Sequence, residues 1–204
     1  VESIDESVQR HPQTRDLFLD LCRRWGRVAQ TLSEMHELGV LGRYLPEFGA
    51  LTCLVQYDVY HRFSADQHSL LAVENLEAIA PGQSPESEAA AEVLNEVERP
   101  DLLMLGMLLH DIGKGQGHGH VAKGIPLVRD LTARIGLPAA DADTVTFLVA
   151  HHLTLSHMAQ RRDIDDPKTV ASLAEVAGTP ERLRMLYLLT FADMRAVGPG
   201  VMTG

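Results

Sequence analysis

Apolar positions recur along the chain at spacings of three and four residues, the mark of helices with one buried face, and no stretch alternates as a strand would. From Asp16 to Leu38, residues Leu17, Leu21, Val28, Leu32 and Met35 keep that spacing, which predicts one long helix ended by Gly39. Leu41 to Cys53, with Gly42, Pro46 and Gly49, reads as a connector. Ser64 can cap a helix that runs through His68, Leu71, Leu76 and Ile79 to a break at Pro81-Gly82. A loop is expected over 83–87 and an exposed helix over 89–97. The segment from Asp101 to Asp111 is apolar on nearly all sides, so as a helix it belongs at the centre of the core. Its continuation to His120 alternates glycine with polar groups, which suits a loop that builds a site. Helices over 121–135 (stopped by Gly136), 141–153, 167–177 and 180–197 follow, the last announced by Thr179, Pro180 and Glu181. The expected fold is all-α: a helical bundle over 58–204, preceded by a helical extension and connector over 1–57.

Composition narrows the class. The chain has 204 residues, 45% of them hydrophobic and 23% charged, which is ordinary globular usage and enough to bury one real core. Lys and Arg number 18 against 28 Asp and Glu, a formal charge of −10 that disfavours a nucleic-acid polymer as partner. The apolar run from Leu102 to Leu109 is far short of a membrane span. Cys22 and Cys53 are expected to be reduced core thiols of a cytoplasmic protein. The first residue is Val1 and the last seven form a loop-like Gly198-Pro-Gly-Val-Met-Thr-Gly204, which reads as a fragment of a longer polypeptide.

Histidine is the unusual component. Of 10 copies, all but His11 and His36 fall between His61 and His157. His110-Asp111 closes the apolar helix, and a carboxylate there is costly unless it is paired or bound to metal. Alone, that dipeptide reads as a helix end emerging into solvent. The rest of the set changes the balance: His68, His120, the pair His151-His152, and Asp193 within the apolar helix from Leu186. Imidazole with carboxylate suits divalent ions such as Zn, Fe and Mn.

His, then His-Asp, then a distant Asp resembles the HD superfamily of metal-dependent phosphohydrolases. His120 and His151-His152 are similar to the two-metal variety, including phosphodiesterases of the HD-GYP type, although Leu153-Thr-Leu-Ser156 stands where that type has Gly-Tyr-Pro. A more extensive resemblance rests on Gly39-Val-Leu-Gly-Arg-Tyr-Leu-Pro-Glu-Phe-Gly49, Gln56-Tyr-Asp-Val-Tyr-His61, Leu109-His-Asp-Ile-Gly-Lys-Gly115, His151-His-Leu-Thr-Leu-Ser156 and the run from Ala159 to Pro167. Leu186-Tyr-Leu-Leu-Thr-Phe-Ala-Asp193 and Ala196-Val-Gly-Pro199 continue it. These motifs resemble the central HD domain of bifunctional PII uridylyltransferase/uridylyl-removing enzymes. In that family a nucleotidyltransferase domain attaches uridylyl groups to the PII signal-transduction protein, the HD domain removes them as UMP, and ACT domains sense glutamine.

The resemblance implies an HD-domain bundle and hydrolysis of a phosphodiester by a metal-activated hydroxide, with two divalent ions, Mn or Mg, or alternatively Fe or Zn. It implies His68, His110, Asp111 and Asp193 on one ion and His120, His151 and His152 on the second, with Asp111 shared. His151 and His152 lie about 100° apart on a helix, so one of them can instead orient a ligand. His110 and Asp111 are the expected catalytic centre. Lys114 is either a phosphate-binding catalytic residue or a solvated lysine at a helix end. Ser156, Arg161 and Arg162 are candidates for substrate binding, the arginines alternatively forming a surface cluster with Asp163, Asp165 and Asp166. His118 can substitute for His120; His157 reads as exposed or substrate-facing, His61 as structural, and His11 and His36 as surface residues. Two other readings stand beside uridylyl removal: an HD-type nucleotidase or cyclic-nucleotide phosphodiesterase, and a helical docking module without turnover.

Overall fold

The computed structural model describes residues 4–55, 63–79, 85–161, 163 and 165–197. Every regular element among them is helical. The N-terminal helices are α1 (Glu6–Arg10), capped by the Asp5 carboxylate, and α2 (Pro12–Arg23), which opens on proline. The single helix expected over 16–38 is two. Gly26 takes a left-handed φ of 90°, and α3 (Val28–Glu37) starts anew. The restart has a cause distant in sequence: the Glu77 carboxylate accepts from the amides of Val28 and Ala29 at 2.7 and 3.0 Å, satisfying the free donors of a helix start. Gly39, with φ of 71°, ends α3. The expected connector contains two short helices, α4 (Val40–Tyr44) and α5 (Pro46–Gly49).

Beyond residue 62 the chain forms α6 (Ala65–Glu77) and α7 (Pro85–Asn95). The latter starts at Pro85, inside the loop expected over 83–87, and buries Ser87, Ala90 and Ala91, so it is not an exposed helix. Next comes α8 (Pro100–Leu109), in which every residue from Asp101 to Leu109 is buried. It packs against α2, α6, α10 (Ala139–His151) and α13 (Pro180–Ala196), which explains its lack of a polar face. Between α8 and α10 lie a short 3-10 helix, Ile112–Gln116, and α9 (His120–Arg134). An unexpected helix, α11 (Thr154–Arg161), and then α12 (Pro167–Ala177) bridge α10 to α13. One buried cluster runs from Phe18 to Ala196, so the N-terminal helices share their core with the rest. Cys22 is buried, but Cys53 is exposed, against the expectation of two core thiols; both are free. No helix among the described residues is long and apolar enough to cross a membrane.

Candidate metal centre

The C-terminal ends of α8 and α10 each place a histidine where the helix runs out of hydrogen-bonding partners. At α8, the His110 ring Nδ1 lies 2.7 Å from the Met107 carbonyl; at α10, the His152 Nδ1 lies 2.8 Å from that of Val149. A carbonyl only accepts, so each Nδ1 carries a proton and each ring turns its Nε2 inward. The inner face of α6 contributes His68, the start of α9 His120, and the last turns of α13 Asp193.

Two groups of donors result. His68, His110 and Asp193 form the first, and Asp111, His120 and His152 the second; within each, the ligand atoms lie within 4.8 Å of one another. Asp111 stands between them. Its Oδ2 is 3.2 Å from His110 Nε2 and 3.6 Å from His68 Nε2, while its Oδ1 is 3.5 Å from His120 Nε2 and 3.8 Å from His152 Nε2. Asp193 Oδ1 reaches His68 Nε2 at 2.9 Å and His110 Nε2 at 3.4 Å.

The donor chemistry fits cations. His110 Nε2 is buried without a well-aligned hydrogen bond, and His120 Nε2 faces His152 Nε2 at 3.3 Å. Imidazole nitrogens and carboxylates converging around the buried Asp111 and the partly exposed Asp193 are mutually repulsive unless positive charge lies among them. The protein's own charges show the same field. Burial alone would depress the His110 pKa, but Asp111 and Asp193 outweigh it and push the ring up to about 10, so that a proton there supplies the positive charge a cation would otherwise bring. Burial, with His110 nearby, drives His152 down to about 4, and burial lowers His120 too. Against their burial, both Asp111 and Asp193 are held below the usual carboxylate range chiefly by His110.

Lys114 is not a solvated lysine. It is buried, with its Nζ 2.5 Å from Asp111 Oδ2, and it lines the open side of the site. That opening is a cavity of about 330 Å³ whose wall also includes His118, Gly119, Leu153 and Val197. His118 is exposed at the rim, outside both ligand groups.

Other expected site residues lie elsewhere. His151 is outside both groups; its ring stacks on Phe147 at 4.8 Å, and its Nδ1 is 3.4 Å from the Thr154 hydroxyl. Ser156 donates to the Leu153 carbonyl at 3.0 Å and faces a neighbouring cavity. Arg161 is exposed at the end of α11 and His157 is exposed on it, whereas Arg162 and His61 lie outside the described residues. His36 is not a surface residue: its Nε2 meets Asp66 Oδ2 at 2.9 Å in a nearly buried pair. Sequence reasoning did not single out Thr190, which donates to the Leu186 carbonyl at 2.8 Å and stands 3.5 Å from the His152 carbonyl. Its only signal was a hydroxyl in an apolar helix one turn before Asp193.

Comparison with known proteins follows the same lines. The HD domain model matches residues 65–182, and a model described as the uridylyltransferase GlnD third domain matches residues 1–44. Bifunctional uridylyltransferase/uridylyl-removing enzymes from Phenylobacterium zucineum and Caulobacter vibrioides are 42% and 41% identical, each over 98% of this chain. One from Ruegeria pomeroyi is 38% identical, also over 98%. The chain spans 22% of the length of each of these relatives.

Proposed function

The chain belongs to the HD-domain family, and we propose that its metal centre hydrolyses the phosphodiester between UMP and a tyrosine of the cytoplasmic PII protein. The observation that carries this reading is the pair of three-donor groups, the second including Asp111, which also faces the first, open to a basin large enough for a phosphoryl group. The uridylyl-removing activity for which the relatives are named supplies the substrate class. In a longer polypeptide, nucleotidyltransferase and glutamine-sensing domains would supply and regulate the opposing reaction.

His68, His110 and Asp193 would hold one divalent ion and His120 and His152 a second, with Asp111 shared. Such ions supply Lewis-acid charge to phosphoryl oxygens and make water more acidic. The protein's task is orientation. The Met107 and Val149 carbonyls fix the rings of His110 and His152, so both direct Nε2 at the site without rearrangement. Lys114 holds Asp111 by one oxygen and leaves the other facing the second group. Its buried ammonium also brings positive charge to the basin wall, where a phosphate must lose water. The departing tyrosine oxygen, with a phenol pKa of about 10, leaves without a strong proton donor.

The test is release of UMP from uridylylated PII by the manganese-loaded chain, followed by chromatography, with metal content measured on the same samples. Asp111→Asn is expected to reduce turnover by about a hundredfold or more and to lower bound metal. An unsubstituted chain that binds metal yet releases no UMP would reject the substrate; one that binds no metal would reject the centre.

A further inference from the structure

Beside the metal basin, α11, α12 and α13 enclose a second cavity of about 380 Å³. Met158, Leu173, Tyr187, Phe191 and Met194 face it, and Val170, which is 56% exposed, stands at its lip. The two cavities adjoin. Asp193 lines the basin while the next residue, Met194, lines the apolar cavity; Leu153 lines the basin and Leu155 the apolar cavity. Thr190 faces the apolar cavity and stands 3.5 Å from the carbonyl of His152. Adjacent residues of α13, and residues two apart just after α10, therefore line the two spaces.

The wall chemistry selects the occupant. The Ser156 hydroxyl donates to the Leu153 carbonyl and that of Thr190 to the Leu186 carbonyl, so neither has a proton left to offer a ligand. A uracil ring placed here would give up water at its polar edge for an almost wholly apolar wall, at a cost for each unpartnered group. An apolar side chain would lose nothing and gain burial. We propose that this cavity receives an apolar side chain that the protein substrate carries close to its uridylylated tyrosine, and that it therefore distinguishes the protein substrate from a free nucleotide. The assignment rests on the reading of the metal centre given above.

Binding tests it without turnover. Dissociation constants of uridylylated PII and of UMP are measured by rapid mixing, ahead of UMP release, for the manganese-loaded chain and for Val170→Asp and Ala159→Asp, both exposed lip positions. Val176→Asp, on the same helix but away from the cavity, is the control. The expected result is about tenfold weaker binding of uridylylated PII by the two lip variants, with UMP affinity and melting temperature retained. An equal loss for UMP would make the cavity a base subsite. A lowered melting temperature with no change in either affinity would assign it to another segment of the polypeptide. Either result overturns the proposal, as do unchanged constants, an equal effect of Val176→Asp, or no binding of uridylylated PII by the unsubstituted chain. Failure to release UMP despite selective binding would instead count against the catalytic reading alone.

Discussion

Asp111 meets positive or metal-seeking groups at both oxygens, and its neighbours differ in what they need from it. Lys114 needs the charge at once, and takes Oδ2; the histidines at Oδ1 are neutral rings that need a cation between them and the carboxylate. The adjacent pair His151-His152 divides on the same ground. His152 is buried, fixed by the Val149 carbonyl and close to Asp111, whereas His151 turns toward Phe147 and Thr154. Their separation of about 100° around the helix axis cannot send both rings to one point. His152→Ala is therefore expected to remove about one equivalent of tightly bound metal and to cut turnover by about a hundredfold. His151→Ala should leave metal content unchanged and turnover within about threefold. Metal analysis and UMP release on the two variants decide it; equal losses would return His151 to the ligand set. At this scale the residue types were legible from the sequence, because few structures place so much imidazole beside carboxylate. The choice within the pair was not, since it depends on which ring the last turn of α10 directs inward.

Between α8 and α9 the site depends on close backbone contact. A Cβ at Gly113 would lie 1.9 Å from the His120 carbonyl oxygen and 2.6 Å from the Gly124 amide nitrogen, both backbone atoms that cannot step aside. Gly113→Ala must therefore displace the first turn of α9, and His120 with it. At Gly115 the same Cβ meets only ordinary contacts, the nearest being Ala50 at 3.6 Å. The expected outcome is a loss of about 2 kcal/mol of stability and of metal in the second group for Gly113→Ala, against under about 0.5 kcal/mol and normal metal for Gly115→Ala. Urea titrations with metal analysis check both. Periodicity located the helices that pack by their own apolar faces, α8, α12 and α13 among them, to within a few residues. It missed the break between α2 and α3, because the capping carboxylate comes from Glu77, about fifty positions along the chain. It missed α11 as well, a helix of 8 residues with none of them buried, too short for its apolar face to recur.

Across the whole molecule, α8 is held at both ends by charge while its middle is wholly apolar. Its C-terminal end carries His110 and Asp111. At its start Asp101, with a side chain only 1% exposed, accepts from Arg23 of α2 at 2.8 Å and from Arg99 at 3.0 Å. Arg99 continues to Asp141 of α10 at 2.8 Å, and its amide lies 3.3 Å from a Glu181 carboxylate oxygen of α13. Four helices thus meet around one buried carboxylate, about 15 Å along the helix axis from the metal centre. Burial alone would raise the Asp101 pKa, but the hydrogen bonds and charge of Arg99, with Arg23 behind them, hold it below the usual 3.8. The folded protein therefore takes up this proton less readily than the unfolded chain. The carboxylate's contribution is complete above the ordinary carboxyl range and is lost as pH falls through the depressed value. Asp101→Asn leaves two guanidinium groups facing a neutral amide, and the partial exposure of Arg23 moderates the loss to about 2 to 3 kcal/mol at pH 7. Metal content should stay normal, since no ligand moves. Urea unfolding at pH 7 and at about pH 3 measures the difference, which should narrow at the lower pH as the unfolded chain's carboxyl takes up its proton ahead of the native one. A gap that stayed constant with pH would assign the loss to packing around the amide and not to the buried charge.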